Sequence, residues 1–187
     1  NRIIADSLTC DFFMQKPFFK LKKENSKIHK KILEKIIKTG QKIGIKKFVL
    51  PLVDNSSIKN KIQENKLRKY LTSRKFQTIL RKNSLILFES DFEPKKLLNF
   101  IKKFKSKKFG INYDSGNSAA LNYKFKDEIK YFNYVKNIHI KDRLLSGQTV
   151  DLGKGNADLL GLTDYIKKKK YRGNLILQTA IPQKELI

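Results

Sequence analysis

The chain has 187 residues, of which 40% are hydrophobic, and this is enough for one domain with a substantial core. No run of 18 or more apolar residues occurs, and the start lacks the pattern of a secretory signal peptide, so we expect no membrane partner. The single cysteine, Cys10, excludes an intramolecular disulfide and fits a reducing compartment. We therefore expect a cytoplasmic protein with Cys10 in its core.

The formal net charge of +25 raises the question of a nucleic-acid partner. Only six of the 42 basic residues are arginines, the side chain that phosphate-reading and base-reading proteins favour for its bidentate geometry. The lysines are spread over nearly every predicted helix and are not gathered in one patch. The pattern therefore favours a solvated lysine surface over a nucleic-acid footprint.

Apolar segments of strand length alternate with amphipathic segments of helix length. A strand is predicted at 3–8, and a helix that Ser26 can cap follows an aromatic stretch. Further strands are predicted at about 47–53, 85–88, 109–113, 137–140 and 174–177, with helices at about 57–71, 94–104, 126–135 and 158–169. Repeated βα units predict a parallel α/β sheet. No linker rich in Gly, Ser or Pro interrupts the chain, so we predict one domain over residues 1–187.

Four successive strands end in a polar side chain that can bind a metal: Glu89, Asp114, His139 and Gln178. In a (β/α)8 barrel the carboxyl ends of the strands form the catalytic face, so these residues would point into one mouth. Oxygen ligands with one imidazole suit Mn²⁺ or Mg²⁺, with Co²⁺ or Zn²⁺ as alternatives. The alternative interpretation makes the two carboxylates helix N-caps and the histidine a core residue.

The sequence resembles the xylose isomerase-like (β/α)8 TIM barrels, which include sugar and sugar-phosphate isomerases and epimerases and the endonuclease IV enzymes. The resemblance rests on Leu87-Phe88-Glu89, Asn112 to Asn117, Asn137 to Asp142, Leu152 to Asp158 and Tyr171 to Gln178. In that family Glu, Asp, His and Glu at four strand ends hold the metal. The resemblance therefore implies Glu89, Asp114, His139 and Gln178 as the ligands.

Two positions depart from the family pattern. Asn117 stands where the family often has His, so one substrate-side imidazole is missing. Gln178 stands where the family has Glu, and in the epimerases both glutamates act as ligand and as acid/base. A glutamine can offer an oxygen to a metal but cannot take a proton.

Aligned by motif order, the strand near Ile3 matches the third of eight, so the resemblance implies a barrel that lacks its first two βα units. A barrel must close to remove its sheet edges. We therefore expect either an upstream segment or a partner chain to complete it, and a homo-oligomer is an open alternative.

We expect the substrate to be a small sugar or sugar phosphate. Lys141 would neutralise an oxyanion, and Arg143 would serve that role or hold a phosphate; Asn117 lies among the expected substrate contacts. The loop Gly153-Lys154-Gly155 follows the seventh strand in the family count, where barrel enzymes often bind phosphate through backbone N–H groups. A plain turn is the alternative interpretation of that loop.

The predicted function is a metal-dependent sugar or sugar-phosphate isomerase or epimerase, favoured as an aldose-ketose isomerase with Glu89 as acid/base. One alternative is a DNA repair enzyme of the endonuclease IV type, which would need more histidines than the two in this chain. The other is a degenerate barrel that binds a sugar without converting it.

Overall fold

The computed structural model describes residues 4–179 of the chain. These residues divide into two compact units: a first unit of 4–91 and 99–111, and a second unit of 92–98 and 112–179. The single-domain assignment to 1–187 stays a prediction, and its first three and last eight residues lie outside the described range. No helix within residues 4–179 combines the length and hydropathy needed to cross a bilayer.

The first unit alternates strands and helices, as the apolar periodicity predicted. Its elements are β1 Ser7–Thr9, α1 Phe12–Gln15, α2 Lys23–Lys42, β2 Lys47–Leu52, a 3₁₀ turn Asp54–Ser56, α3 Lys61–Leu71, α4 Arg74–Gln77 and β3 Leu85–Ser90. Helix α5 follows at Pro94–Lys102 and strand β4 at Phe109–Asp114.

The second unit continues the alternation with shorter helices. Its elements are α6 Ser115–Ala120, α7 Phe125–Glu128, a 3₁₀ helix Ile129–Tyr134, β5 Val135–Ile140, β6 Asp142–Arg143, β7 Thr149–Val150, α8 Leu159–Lys168 and β8 Asn174–Leu177. Strands β6 and β7 form a small antiparallel ribbon of their own.

Six strands form one parallel sheet in the order β1-β2-β3-β4-β5-β8. Parallel neighbours joined by helical crossovers are the pattern of a (β/α)8 barrel, and six of its eight strands lie in the described range. The predicted fold class, an incomplete (β/α)8 barrel, is therefore confirmed. All carboxyl strand ends of a parallel sheet lie at the same edge, and this edge is where the predicted site residues fall.

Burial explains why the central strands are apolar throughout. Strand β2 has five of its six residues buried, because a parallel sheet of this class is covered on both faces. In the first unit, Phe88 of β3 packs against Phe100, with ring centroids 5.1 Å apart, and against Phe104 at 4.9 Å. Cys10 is buried as predicted, and burial raises the pKa of its thiol to about 12, so the cysteine is unreactive at neutral pH.

Two predicted helix starts differ from the structure. Helix α2 begins at Lys23, three residues before the predicted cap Ser26. Helix α3 begins after Asn60, whose side chain accepts from the Gln63 N–H at 3.0 Å. The predicted start at about 57 is therefore four residues too early, and the buried hydroxyl of Ser56 accepts from the Val53 N–H and bonds the Pro51 carbonyl oxygen.

The helix predicted at 126–135 is a short α-helix that tightens into a 3₁₀ helix after Glu128. In 3₁₀ geometry residues three apart stand above one another, and Tyr131 thereby donates its hydroxyl to Glu128 at 2.9 Å. Tyr113 and Ser118 also donate hydroxyls to this carboxylate, which is 1% exposed. Burial raises the pKa of Glu128, and the three hydroxyl donors oppose that rise.

Removing one of these donors should destabilise the fold in a pH-dependent way. Tyr131→Phe should lower the free energy of unfolding by about 2 kcal/mol at neutral pH, because the lost hydrogen bond serves a buried carboxylate. Since the pKa of folded Glu128 is raised, its contribution favours folding at low pH and is lost as the pH rises through that pKa.

The hydroxyl stabilises the ionised carboxylate more than the protonated group, so the deficit of Tyr131→Phe should shrink on acidification below the pKa of folded Glu128. Urea unfolding at a series of pH values measures the effect, with Tyr134→Phe on the same 3₁₀ helix as the control. A deficit that is the same at every pH would show that Glu128 is not the acceptor that matters.

Candidate metal centre

The ends of β4 and β5 bring a carboxylate and an imidazole together. Asp114 is the last residue of β4 and is 5% exposed, and His139 of β5 is 3% exposed. Asp114 Oδ2 lies 3.9 Å from His139 Nδ1. This distance is too long for a hydrogen bond, and it places a carboxylate oxygen and the imidazole ring side by side in a buried position.

Asp114 also caps helix α6, through its other carboxylate oxygen. Oδ1 accepts from the Asn117 N–H at 2.8 Å, so the helix-cap interpretation of this residue is correct. Because the cap uses Oδ1 and leaves Oδ2 facing His139, capping and metal binding are compatible in one side chain. The cap fixes the carboxylate against rotation.

Glu89 lies at the end of β3, paired with Pro51 of β2, and is half-buried. Among residues 4–179, one group of three acidic or imidazole side chains could hold a metal ion, and it consists of Glu89, Asp114 and His139. Each offers one ligand atom, and these atoms all lie within 4.8 Å of one another. Two carboxylates and one imidazole form a ligand set that divalent metals accept.

Two buried asparagines, Asn112 and Asn137, are linked to His139, and the sequence analysis assigned them no role beyond opening two of the family motifs. Asn112 is two residues before Asp114 on β4, and its side-chain amide lies 3.3 Å from His139 Nδ1. Asn137, two residues before His139 on β5, donates to Asn112 Oδ1 at 2.6 Å. The sequence signal was the spacing of two, which places each asparagine on the same strand face as a ligand.

Gln178, the fourth predicted ligand, follows the last residue of β8. Strand β8 pairs in parallel with β5, with Ile140 opposite Leu177, and the Gln178 N–H donates to the Ile140 carbonyl oxygen at 2.9 Å. The residue therefore lies at the carboxyl edge of the sheet, one position beyond that pair. Its role as an amide ligand stays a prediction.

The predicted substrate cations pack on the first turn of α6. Arg143 donates from Nη1 to Asn117 Oδ1 at 2.8 Å and from Nε to the Gly147 carbonyl oxygen at 2.6 Å. The aliphatic stem of Lys141 lies over Gly116, where an added Cβ would be 2.8 Å from Lys141 Cγ. Asn117 and Arg143, predicted separately as substrate contacts, thus form one hydrogen-bonded pair.

The loop Gly153-Lys154-Gly155 is held by a carboxylate of the chain itself. The N–H groups of Gly153 and Gly155 donate to Asp142 Oδ2 at 2.9 and 2.8 Å, and the Ala157 N–H donates to Asp142 Oδ1 at 3.0 Å. Asp142 is fully buried. The two glycine N–H groups expected to bind phosphate donate to this carboxylate, and the side chain of Lys154 between them is exposed. The role of Gly153, Lys154 and Gly155 in substrate binding stays a prediction.

Removing the Asp142 carboxylate should loosen this loop. Hydrogen bonds from three N–H groups to one charged acceptor are stronger than neutral ones, so Asp142→Ala should speed amide hydrogen exchange at Gly153, Gly155 and Ala157 at least tenfold, as an order of magnitude. Asp151→Ala in the same loop is the control, because the backbone carbonyl of Asp151 bonds Lys154 and persists in that variant. Unchanged exchange in Asp142→Ala would contradict the assignment.

Two cavities of the second unit have no candidate ligand in their walls, although Tyr113 and Ser115, the chain neighbours of Asp114, line the smaller one. Their volumes are about 460 and 660 Å³, and they share a wall at Asn122, Tyr123 and Lys124. Neither is lined by Asp114 or His139. Side-chain chemistry at the strand ends, and not cavity size, therefore identifies the candidate site.

The fold and the ligand group together define a class: an α/β barrel protein with a candidate divalent-metal site at its carboxyl strand ends. The family model described as xylose isomerase-like TIM barrel matches residues 21–186. The chain belongs to this family, as the resemblance of its strand-end motifs indicated. A comparison with curated proteins gives no match.

Solved structures with the same fold include sugar-converting enzymes. The xylose isomerase domain protein of Planctomyces limnophilus is 22% identical with a TM-score of 0.67, over 85% of this chain and 60% of that one. The 3-keto-D-glucoside 4-epimerase of E. coli is 12% identical with a TM-score of 0.75, over 98% and 74%. The IOLI protein, whose structure contains a bound zinc atom, is 18% identical with a TM-score of 0.68, over 96% and 68%. The chain thus spans about three fifths of the first relative.

Proposed function

We propose that the protein is a metal-dependent sugar or sugar-phosphate isomerase or epimerase, and specifically an aldose-ketose isomerase. The observation that carries the proposal is the grouping of Glu89, Asp114 and His139 at the carboxyl ends of parallel strands. The family match and the sugar epimerase among the structural relatives support the substrate class. The whole-protein activity is part of this proposal, because the chain spans only part of its relatives.

The ligand set fits a hard divalent cation. Carboxylates from Glu89 and Asp114, the imidazole of His139 and the amide oxygen proposed for Gln178 give three oxygens and one nitrogen, a set that suits Mn²⁺ or Mg²⁺ and accepts Co²⁺ or Zn²⁺. A bound divalent metal would polarise the substrate carbonyl and favour the enediolate over the neutral sugar. Asp114 and His139 would hold that metal and take no part in proton transfer.

Glu89 is the proposed acid/base, and the cations of the β5 end complete the site. Glu89 would take a proton from the carbon beside the carbonyl and return it to the neighbouring carbon on the same face. Lys141 would neutralise the charge that develops on oxygen, and Arg143, held by Asn117, would bind a phosphate or a hydroxyl of the substrate. Lys154 extends the positive surface along the loop after β7.

Gln178 is the reason to favour isomerisation over epimerisation. Inverting one carbon with two opposed bases requires proton removal on one face and delivery on the other. A glutamine cannot take a proton, so only Glu89 remains of the mapped pair. Moving a proton between adjacent carbons requires a single base, which the sequence provides.

The test is incubation of the protein with Mn²⁺ and aldoses, ketoses or their phosphates in deuterium oxide. We expect aldose-ketose interconversion with part of the hydrogen carried directly between adjacent carbons, as a single shielded base requires. Epimerisation of a ketose at C3 without isomerisation would refute the one-base mechanism. Saturable sugar binding without turnover would indicate a degenerate binding barrel.

A nuclease of the endonuclease IV type is the contrasting function. The chain has two histidines, and His29 bonds the Lys16 carbonyl oxygen in the first unit, which leaves His139 as the imidazole of the ligand group. We expect any DNA binding to be weak at physiological salt and to fall steeply as salt rises, as for a general lysine surface. Tight, salt-resistant binding to a damaged duplex would favour the nuclease.

A further inference from the structure

The first turn of helix α6 contacts the chain that leaves β5 at three successive positions. Helix α6 begins directly after the ligand Asp114, and the outgoing chain begins at Lys141, two residues after the ligand His139. The three residues of the turn, Ser115-Gly116-Asn117, make a different kind of contact each, and we call this segment the positioning turn.

Ser115 contacts the main chain of Lys141. Its hydroxyl donates to the Lys141 carbonyl oxygen at 2.6 Å and accepts from the Lys141 N–H at 2.9 Å. The side chain of Ser115 is 3% exposed, so water does not compete for these bonds. One hydroxyl thus satisfies both backbone groups of the residue that follows the last residue of β5.

Gly116 contacts the side chain of Lys141. A Cβ on Gly116 would lie 2.8 Å from Lys141 Cγ and 3.0 Å from Lys141 Cδ, and 3.0 Å from Arg143 Cγ. These distances are shorter than van der Waals contact, so any larger residue would displace the lysine stem. The absence of a side chain at Gly116 is therefore a requirement of the position that Lys141 occupies.

Asn117 contacts the guanidinium of Arg143. Its Oδ1 accepts from Nη1 at 2.8 Å, and the Gly147 carbonyl oxygen accepts from Nε at 2.6 Å. Two bonds in the plane of the guanidinium fix its orientation and leave its remaining N–H groups for another acceptor. Asn117 stands where the family often has a histidine, and in this chain it holds a cation.

We propose that Ser115, Gly116 and Asn117 are positioning residues that set where Lys141 and Arg143 stand relative to Asp114 and His139. The turn contacts the main chain and stem of Lys141 and the guanidinium of Arg143, so the cations are placed by the same helix whose N-terminus the ligand Asp114 caps. The ligand chemistry is an oxyanion of the substrate: an enediolate oxygen or a phosphate. This inference rests on the proposed function.

A mutant cycle between Gly116→Ala and the paired change Lys141→Ala with Arg143→Ala tests the proposal. If Gly116 acts through these two cations, Gly116→Ala should lower kcat/KM for the sugar substrate by about tenfold or more, since small displacements of positioned groups are costly. In the background that carries both cation changes, Gly116→Ala should have less than about a twofold effect, because both side chains that its Cβ would displace are gone. The affinity for Mn²⁺ should stay within about twofold in all three variants.

Ser115 provides a second arm with a conservative rescue. Ser115→Ala removes both bonds to Lys141 and should lower kcat/KM, whereas Ser115→Thr keeps a hydroxyl and should restore most of it. If the effect of Gly116→Ala on kcat/KM is as large in the background that lacks both cations as in the wild-type protein, the proposal is overturned while the proposed function stays intact. The proposal would also be overturned if Gly116→Ala weakened Mn²⁺ binding by the same factor as turnover. The positioning turn would then affect the metal ligands Asp114 and His139 and not the two cations.

The test does not depend on turnover. If the wild-type protein converts no sugar, the proposed function fails, and titration of the Mn²⁺-loaded protein with inorganic phosphate repeats the cycle as a binding measurement. If phosphate does not bind either, the crystal structure of Gly116→Ala decides: a displaced Lys141 stem supports the positioning turn, and an unmoved stem overturns it.

Discussion

Replacement of His139 by alanine should abolish metal-dependent activity and lower the affinity for Mn²⁺ by at least ~10²-fold. The estimate follows because loss of an outer-shell partner alone typically costs 10–100-fold, and His139 would be a direct ligand. His139 is also the one imidazole of the candidate ligand group. Isothermal titration with Mn²⁺ measures the affinity, and turnover of the sugar substrate measures the activity.

The chain contains its own matched control for this change. His29 is the other of the two histidines, and it bonds the Lys16 carbonyl oxygen in the first unit. His29→Ala makes the same chemical change outside the ligand group and should leave the affinity for Mn²⁺ unchanged. An equal loss of Mn²⁺ affinity in both variants, or no loss in either, would show that His139 is not a metal ligand.

Glu89→Gln should lower turnover by at least ~10²-fold, the usual scale for losing a general base. The glutamine keeps the size of the side chain and an oxygen that can face a metal, so the loss of turnover should exceed the loss of Mn²⁺ affinity. The two measurements together separate proton transfer from metal binding. Steady-state kinetics at saturating Mn²⁺ gives the first, and titration gives the second.

Glu93→Gln is the control for the acid/base assignment. Glu93 precedes helix α5 and is exposed, so the same change there should leave turnover within about twofold. If Glu89→Gln turns over at the wild-type rate, Glu89 is not the base. If its turnover and Mn²⁺ affinity fall by the same factor, Glu89 acts as a ligand only.

The sheet and its ligand edge could be predicted because both follow from local patterns. Apolar runs of strand length separated by helix-length segments indicate parallel strands, and the residue that ends each strand lies at a shared edge. This reasoning found Glu89, Asp114 and His139 without any knowledge of their distances. The same reasoning predicted the helix N-cap as the alternative role of Asp114. A carboxylate at the point where a strand ends and a helix begins can serve both as an N-cap and as a metal ligand.

The hydrogen-bond partners of the site could not be predicted from pattern. Asp142 bonds N–H groups 11 to 15 residues away, and Asn137 bonds Asn112 across 25 residues. Such pairs depend on loop conformation and strand register, which periodicity does not specify. The same holds for Glu128, whose three hydroxyl donors are 3, 10 and 15 residues away.

The attachment of three N–H groups to Asp142 has a consequence for engineering the substrate range. In the loop after β7, Gly155 admits no other residue, because a Cβ there would lie 2.2 Å from Asp142 Oδ1, and Gly153 has a φ of +85°, which favours glycine. Between them the side chain of Lys154 is exposed. Under the proposed function, a library randomised at 154 alone would vary the substrate contact on an unchanged backbone, whereas a library that includes 155 would consist mainly of distorted loops.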